Sequence, residues 1–246
     1  MARQSRAPAI LLTRPLPQSQ RFAAQLLARW PDLDVLISPL MVPEYLSPDL
    51  PQGNFAAVIL TSETGVKAAR RISAAGCRLP ERAYCVGDRT ALAAKAAGFQ
   101  VHSAGGDAEA LVALILSQSP GGSLLFLRGQ DVAGDIEKRL NAAGTETLSA
   151  IVYAQSPQKL SVQATQLLQG DAAVILPLFS PRTTRIFCAE RPKNAPSAPL
   201  WVAAMSLAVA EAAADLRPAR RQTAARPDAA AMLDAIADLI ADGIGS

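Results

Sequence analysis

"AAVILTSETGVKAARRI" runs from Ala56 to Ile72, and "AAVILPLFSPRTTRIF" runs from Ala172 to Phe187. Each opens on an apolar run, breaks at a serine able to cap a helix, and continues with helical spacing. An apolar run without polar alternation is a strand covered on both faces, as in a parallel sheet flanked by helices. The two stretches resemble each other, with Ser62 matched to Ser180, 118 positions on. "YCVGDRTALAAKAAG" (Tyr84–Gly98) likewise parallels "WVAAMSLAVAEAAAD" (Trp201–Asp215), and Gly87 to Ala204 is 117 positions. A third pair, "ILLTRP" (Ile10–Pro15) and "LLFLRG" (Leu124–Gly129), is offset by 114. A near-constant offset over three segments points to two lobes of one fold.

Working outward, strand and helix patterns alternate along the chain. Strands are expected at Ile10–Thr13, Asp34–Ser38, Ala56–Thr61, Arg82–Val86, Gln100–His102, Ser123–Leu127 and Thr145–Tyr153. The pattern resumes with strands at Ala172–Leu178, Leu200–Ala203 and Arg221–Ala224. Helices are expected at Gln18–Trp30, from Ser62, from Asp88 to Ala97, from Asp107 to Leu116 and at Asp135–Ala143. Further helices start at Ser180-Pro181, continue the 200–203 strand to about Leu216, and begin at Asp228. Ser62, Asp88 and Ser180 are expected as N-caps, with Pro181 at the first helical position. This alternation is the signature of α/β architecture with parallel sheets.

Composition bounds the function. The 246 residues are 50% hydrophobic and 18% charged, so a sizeable core forms and global disorder is not expected. A net charge of +3 gives no reason to expect a nucleic-acid partner. Three cysteines without a C-x-x-C pair suggest a reducing compartment, with neither a disulfide framework nor a zinc site. The N-terminal apolar run, Ala9–Leu12, is too short for a signal peptide, and Leu200–Ala210 is too short to span a bilayer. A cytoplasmic protein is the expectation.

His102 is the only histidine, and no G-x-S-x-G, H-E-x-x-H, Walker loop or G-x-G-x-x-G is present. What remains stands where strands end. Thr13-Arg14, Thr61-Ser62, Gly87 to Thr90, Arg128-Gly129 and Ser180 to Arg182 all follow expected parallel strands. That edge is where open α/β sheets bind ligands. Helix N-termini there offer unpaired N–H groups to carboxylate or phosphate. Arg14, Arg128 and Arg182 are placed to add charge-assisted bonds. Taken singly, such caps and arginines are ordinary features of any α/β protein. Tyr153 closes the long strand, where a tyrosine is usually packing unless its hydroxyl meets a cleft.

"LLTRP", "VILTSETGV", "YCVGDRTA", "LLFLRGQ", "LNAAGTETLSAIVY" and "FSP", in this order and spacing, resemble the uroporphyrinogen-III synthase family over nearly the whole chain. The resemblance implies two flavodoxin-like parallel-sheet domains with the active site in the cleft between them. One domain would comprise 1–36 plus 156–246, and the other 41–150. Connecting strands would lie at 37–40 and 151–155. It also implies a lyase without cofactor or metal that closes hydroxymethylbilane into uroporphyrinogen III. In that reaction the terminal pyrrole inverts through a spiro intermediate and water is lost.

By the same resemblance Tyr153 would be the proton donor. Substrate would be bound by Arg14, Thr61, Ser62, Gly87, Thr90, Arg128, Ser180, Pro181, Arg182 and Ser206. A monomer with no nucleic-acid or membrane partner is implied, in transient contact with the upstream deaminase. Two departures stand out: Ala203 to Ala208 lacks the family's glycine and threonine, with Ser206 a position off, and Glu63 places an acid beside the Thr61-Ser62 turn.

Three rivals share parts of this pattern. A non-catalytic tetrapyrrole or anionic-ligand binding protein would have the same fold. A sugar-nucleotide transferase needs a longer chain and a nucleotide-binding acid. A receiver pair needs clustered acids where Thr13-Arg14 stands.

Overall fold

Strands and helices alternate in the computed structural model, which describes residues 8–131, 134–192 and 198–244. In chain order they are β1 (Ala9–Leu12), α1 (Leu16–Arg29), β2 (Val35–Ile37), β3 (Met41–Tyr45), β4 (Ala57–Leu60), α2 (Glu63–Ala74) and β5 (Arg82–Cys85). Next come α3 (Asp88–Ala96), β6 (Gln100–Ser103), α4 (Ala108–Gln118), β7 (Leu124–Gly129), α5 (Ile136–Ala142) and β8 (Thr147–Pro157). The chain ends with α6 (Val162–Leu168), β9 (Val174–Leu178), α7 (Pro181–Glu190), β10 (Leu200–Ala204), α8 (Leu207–Ala212), β11 (Arg220–Thr223) and α9 (Ala229–Ile244).

The chain divides into two compact units, Met1–Val42 with Pro157–Ser246, and Pro43–Ser156. The first holds a parallel sheet in the order β11-β10-β9-β1-β2. The second sheet runs β3-β8-β7-β4-β5-β6, with β4 to β8 all parallel. Written from the other edge, the first order is β2-β1-β9-β10-β11 and matches β8-β7-β4-β5-β6 strand for strand. Both have the flavodoxin-like order 2-1-3-4-5. The second unit simply enters that order at its third strand. The repeated stretches found in the sequence fall on equivalent elements, β4-α2 with β9-α7 and β5-α3 with β10-α8.

The apolar runs behave as buried strands. Ala57, Val58, Ile59 and Leu60 are all fully buried, and successive side chains enter opposite layers. Val58 and Leu60 pack with Val66 and Ala69 of α2, whereas Ala57 and Ile59 pack with Leu111 and Ile115 of α4. The first unit repeats this, with Leu11 in one layer and Ile10 and Leu12 in the other. Both sheets are therefore sandwiched, and their polar chemistry is confined to strand ends.

Four local readings are corrected. The strand expected at 37–40 lies at Met41–Tyr45. Ile37 belongs instead to β2, paired with Leu12, and Ser38 and Leu40 donate N–H bonds to Leu12 and Thr13. β3 tolerates Pro43 because it is an edge strand. It runs antiparallel to β8, since Leu46 N–H bonds Val152 O while Gln158 N–H bonds Leu40 O. The segment 151–155 is no separate connector but part of the 11-residue β8. Helix α6 was not expected at all. Ser161 caps it through the Ala164 N–H at 3.1 Å, but seven residues are too few to show a period. The helix expected to reach Leu216 stops at Ala212, followed by a short 3-10 turn at Ala214–Leu216.

Candidate active site

The carboxyl ends of β4 and β7 meet at the point where strand order reverses in the second unit, the usual ligand position in open α/β sheets. An open pocket of about 590 Å³ lies there. Thr61, Ser62, Val86 and Gly129 contribute from strand ends, Tyr153 from within β8, and Asp107, Glu109, Asp131 and Arg139 from the loops and helices above.

Ser62 is the N-cap of α2 in extended backbone, and its Oγ accepts the Gly65 N–H at 3.0 Å. The same Oγ lies 2.9 Å from Tyr153 Oη, with either group able to donate. Tyr153 reaches this point because the β7–β8 register slips. Arg128 pairs with Ile151, yet Gly129 pairs with Tyr153, and Gln130 N–H bonds Tyr153 O. The slip is a bulge, which re-aims side chains at sheet rims. The Tyr153 ring then lies directly against the Gly129 backbone.

The other wall is acidic. Asp107 caps α4, accepting from the Glu109 and Ala110 N–H groups at 3.0 Å each. Those bonds, Ala110's foremost, hold its carboxyl below the usual range. Glu109 pairs loosely with Arg139 at 3.9 Å. On the neighbouring edge strand, burial pushes the Tyr45 phenol up, with Arg71 opposing and Tyr153 adding to the rise. Among the described residues no group of three His, Cys, Asp or Glu is placed to hold a metal ion.

Gly87 and Thr90 are not among the residues lining this pocket. Gly87, not Asp88, is the N-cap of α3, and its φ of −156° is extended backbone open to any residue. Thr90 is buried inside the second unit. Asp88 is occupied by Ser103, whose Oγ donates to it at 2.8 Å. Arg128 also turns aside, donating to Ser149 Oγ at 3.3 Å and to Gly129 O at 3.2 Å. Glu63, the acid beside the turn, does not line the pocket either.

The equivalent edge of the first unit holds the remaining residues. Thr13 is buried, and the Arg14 guanidinium lies 4.0 Å from the centre of the Phe179 ring. Ser180 caps α7, with Thr183 N–H at 3.3 Å and Pro181 in the first turn. Arg182 is exposed on that turn. Ser206 is the N-cap residue of α8 but makes no side-chain capping bond. The sequence reading put Gly129 at a ligand-binding strand end but not among the substrate-binding residues, and missed Asp107, Glu109, Asp131 and Arg139. Those four stand in loops and helices at positions whose sequence carries no signal.

The family described as Uroporphyrinogen-III synthase HemD matches residues 28–234. The chain belongs to the uroporphyrinogen-III synthase family. Its members are enzymes, cyclising hydro-lyases. A uroporphyrinogen-III synthetase structure from Helicobacter pylori shares 18% identity, with 94% of this chain and 99% of that chain covered and a TM-score of 0.62. A mutant uroporphyrinogen III synthase from the extremely thermophilic bacterium Thermus thermophilus shares 17% identity, with 95% and 99% covered and a TM-score of 0.50. At such identities the likeness shows a shared fold. No curated protein matches the chain by sequence. Among the described residues no helix is long and apolar enough to cross a membrane.

Proposed function

We propose that this chain closes hydroxymethylbilane into uroporphyrinogen III, with Tyr153 as the proton donor to the departing hydroxyl. The observation that carries the reading is the Tyr153 hydroxyl, held 2.9 Å from Ser62 Oγ in a pocket at the strand-order switch. Breaking the C–O bond leaves its electron pair on oxygen, and a phenol proton turns that oxygen into water. The azafulvenium left behind is cationic. Asp107, Glu109 and Asp131 against one Arg139 make the pocket wall net acidic, which suits that ring end better than the carboxylate arms. The proton lost from the pyrrole carbon after ring closure restores the phenol.

Thr61 and Ser62 are the substrate-facing residues of the second unit. Arg14, Ser180, Pro181, Arg182 and Ser206 are proposed as carboxylate-binding residues of the first. Holding the bilane so that its ends meet in the inverted sense is chiefly an orientation effect. We place the chain in the cytoplasm as a monomer, supplied by the upstream deaminase; unpaired Cys77, Cys85 and Cys188 fit a reducing compartment.

The test is to supply the purified protein with porphobilinogen and the deaminase, oxidise the products and separate the porphyrin isomers. Isomer III in excess is expected. Isomer I alone, from folded protein, would overturn the synthase reading and leave a binding protein of the same fold.

A further inference from the structure

We propose that Gly129 is a positioning residue for Tyr153: its missing side chain is the seat on which the phenol ring rests. The inference builds on the role given to Tyr153 above. A Cβ at position 129 would stand 2.7 Å from Tyr153 Cζ, 2.8 Å from Cε2 and 2.9 Å from Oη. All three are below ordinary carbon contact, which begins near ~3.5 Å. The atoms met are the far end of the ring, which can retreat only by turning its two side-chain torsions on the β8 backbone. That backbone is pinned by Gln130 N–H on Tyr153 O at 2.9 Å. Any residue with a Cβ therefore forces the ring to withdraw by about 0.8 Å to regain normal contact.

The hydroxyl moves with the ring. Ser62 cannot follow it, because its Oγ is held on the Gly65 N–H at 3.0 Å. Gly65 is itself buried, and a Cβ there would meet Leu127 O and Ser62 Oγ at 3.4 Å. The Gly65 N–H thus holds the Ser62 end of the hydrogen bond, and the bare Gly129 backbone seats the Tyr153 end. The bulge between Arg128 and Gly129 supplies the ring's direction, and the glycine supplies its depth.

The test compares Gly129→Ala, Tyr153→Phe and the double variant, with hydroxymethylbilane as substrate. Misplacement on this scale costs up to about 100-fold in rate. Gly129→Ala is expected to lose about 10–100-fold in kcat, with KM little changed. In the Tyr153→Phe background, where no phenol proton remains, the same substitution should lose nothing further. Equal losses in both backgrounds would mean general damage and overturn the positioning role. Full activity of Gly129→Ala, with Tyr153→Phe impaired, would overturn it too. Full activity of Tyr153→Phe would instead refute the proton-donor reading itself.

Should Gly129→Ala fail to fold, the Tyr153→Ala background decides. There the ring is gone, and Gly129→Ala should be as stable as Tyr153→Ala alone. A protein still unfolded would show that the glycine serves something other than the ring.

Discussion

The Ser62–Tyr153 contact has a measurable coupling energy. Ser62 Oγ makes two bonds, one capping α2 through Gly65 N–H and one to Tyr153 Oη. Loss of a serine cap costs about 1 kcal/mol, and loss of a part-buried hydroxyl pair about 1 kcal/mol more. Ser62→Ala should therefore destabilise the second unit by about 2 kcal/mol. Tyr153→Phe removes only the shared bond and should cost about 1 kcal/mol. The double variant should cost no more than Ser62→Ala, giving a coupling of about 1 kcal/mol. The assay is urea unfolding, and the chain carries its own reporters. Trp30 and Trp201 lie in the first unit, while Tyr45, Tyr84 and Tyr153 lie in the second. Tryptophan fluorescence and far-ultraviolet dichroism together therefore separate the two transitions. Only the transition not reported by tryptophan should move. Strict additivity of the two substitutions would refute the bond, and a shift in the tryptophan transition would refute its assignment to the second unit.

Other outcomes follow from single sites. Cys85 is fully buried, and burial pushes its thiol up from 9.0 to about 11. Its folded pKa is raised, so its contribution is complete below pH 9 and is lost as pH rises towards 11. Wild type should lose more stability than Cys85→Ala across that window; parallel pH curves would refute this. Asn141 donates to Thr147 O at 3.0 Å and accepts Thr147 N–H at 2.8 Å, replacing a strand partner at the start of β8. Asn141→Ala should cost about 1–2 kcal/mol, read in the same urea assay on the second-unit transition. Arg14→Ala removes the cation stacked on Phe179 and should raise KM about tenfold or more, as for loss of one charge-assisted bond. An unchanged KM would remove Arg14 from the substrate-facing set.

The fold was legible because both sheets are sandwiched. Runs such as Ala56–Thr61 and Ala172–Leu178 have to be apolar throughout, and Ser62, Asp107 and Ser180 mark helix starts by chemistry no other position needs. Tyr153 was visible as part of a long strand, but that strand runs on to Pro157 rather than ending at it, and the tyrosine's aim was not legible. Its direction depends on a one-residue slip against β7, a tertiary event that leaves strand composition unchanged. Asp88 misled for a related reason. Asp at the cap and Asp at the first helical position look alike in sequence, and Ser103, fifteen residues on, decides between them. The acidic wall comes from the start of α4, after β6, and from the loop after β7. Its members carry no spacing that a linear reading detects.

The division of the chain also sets an order of assembly during synthesis. Residues Pro43–Ser156 emerge as one uninterrupted unit. The strand β1, by contrast, needs β9, whose last residue is Leu178. At the usual ~5–20 residues per second, the nascent β1-α1-β2 segment waits roughly 10–30 s for that partner. Through this interval Ile10, Leu11 and Leu12, fully buried in the finished protein, have only α1 and β2 to cover them. This early segment is thus sealed only after the whole second unit has emerged, and α9, which shares its core, comes later still.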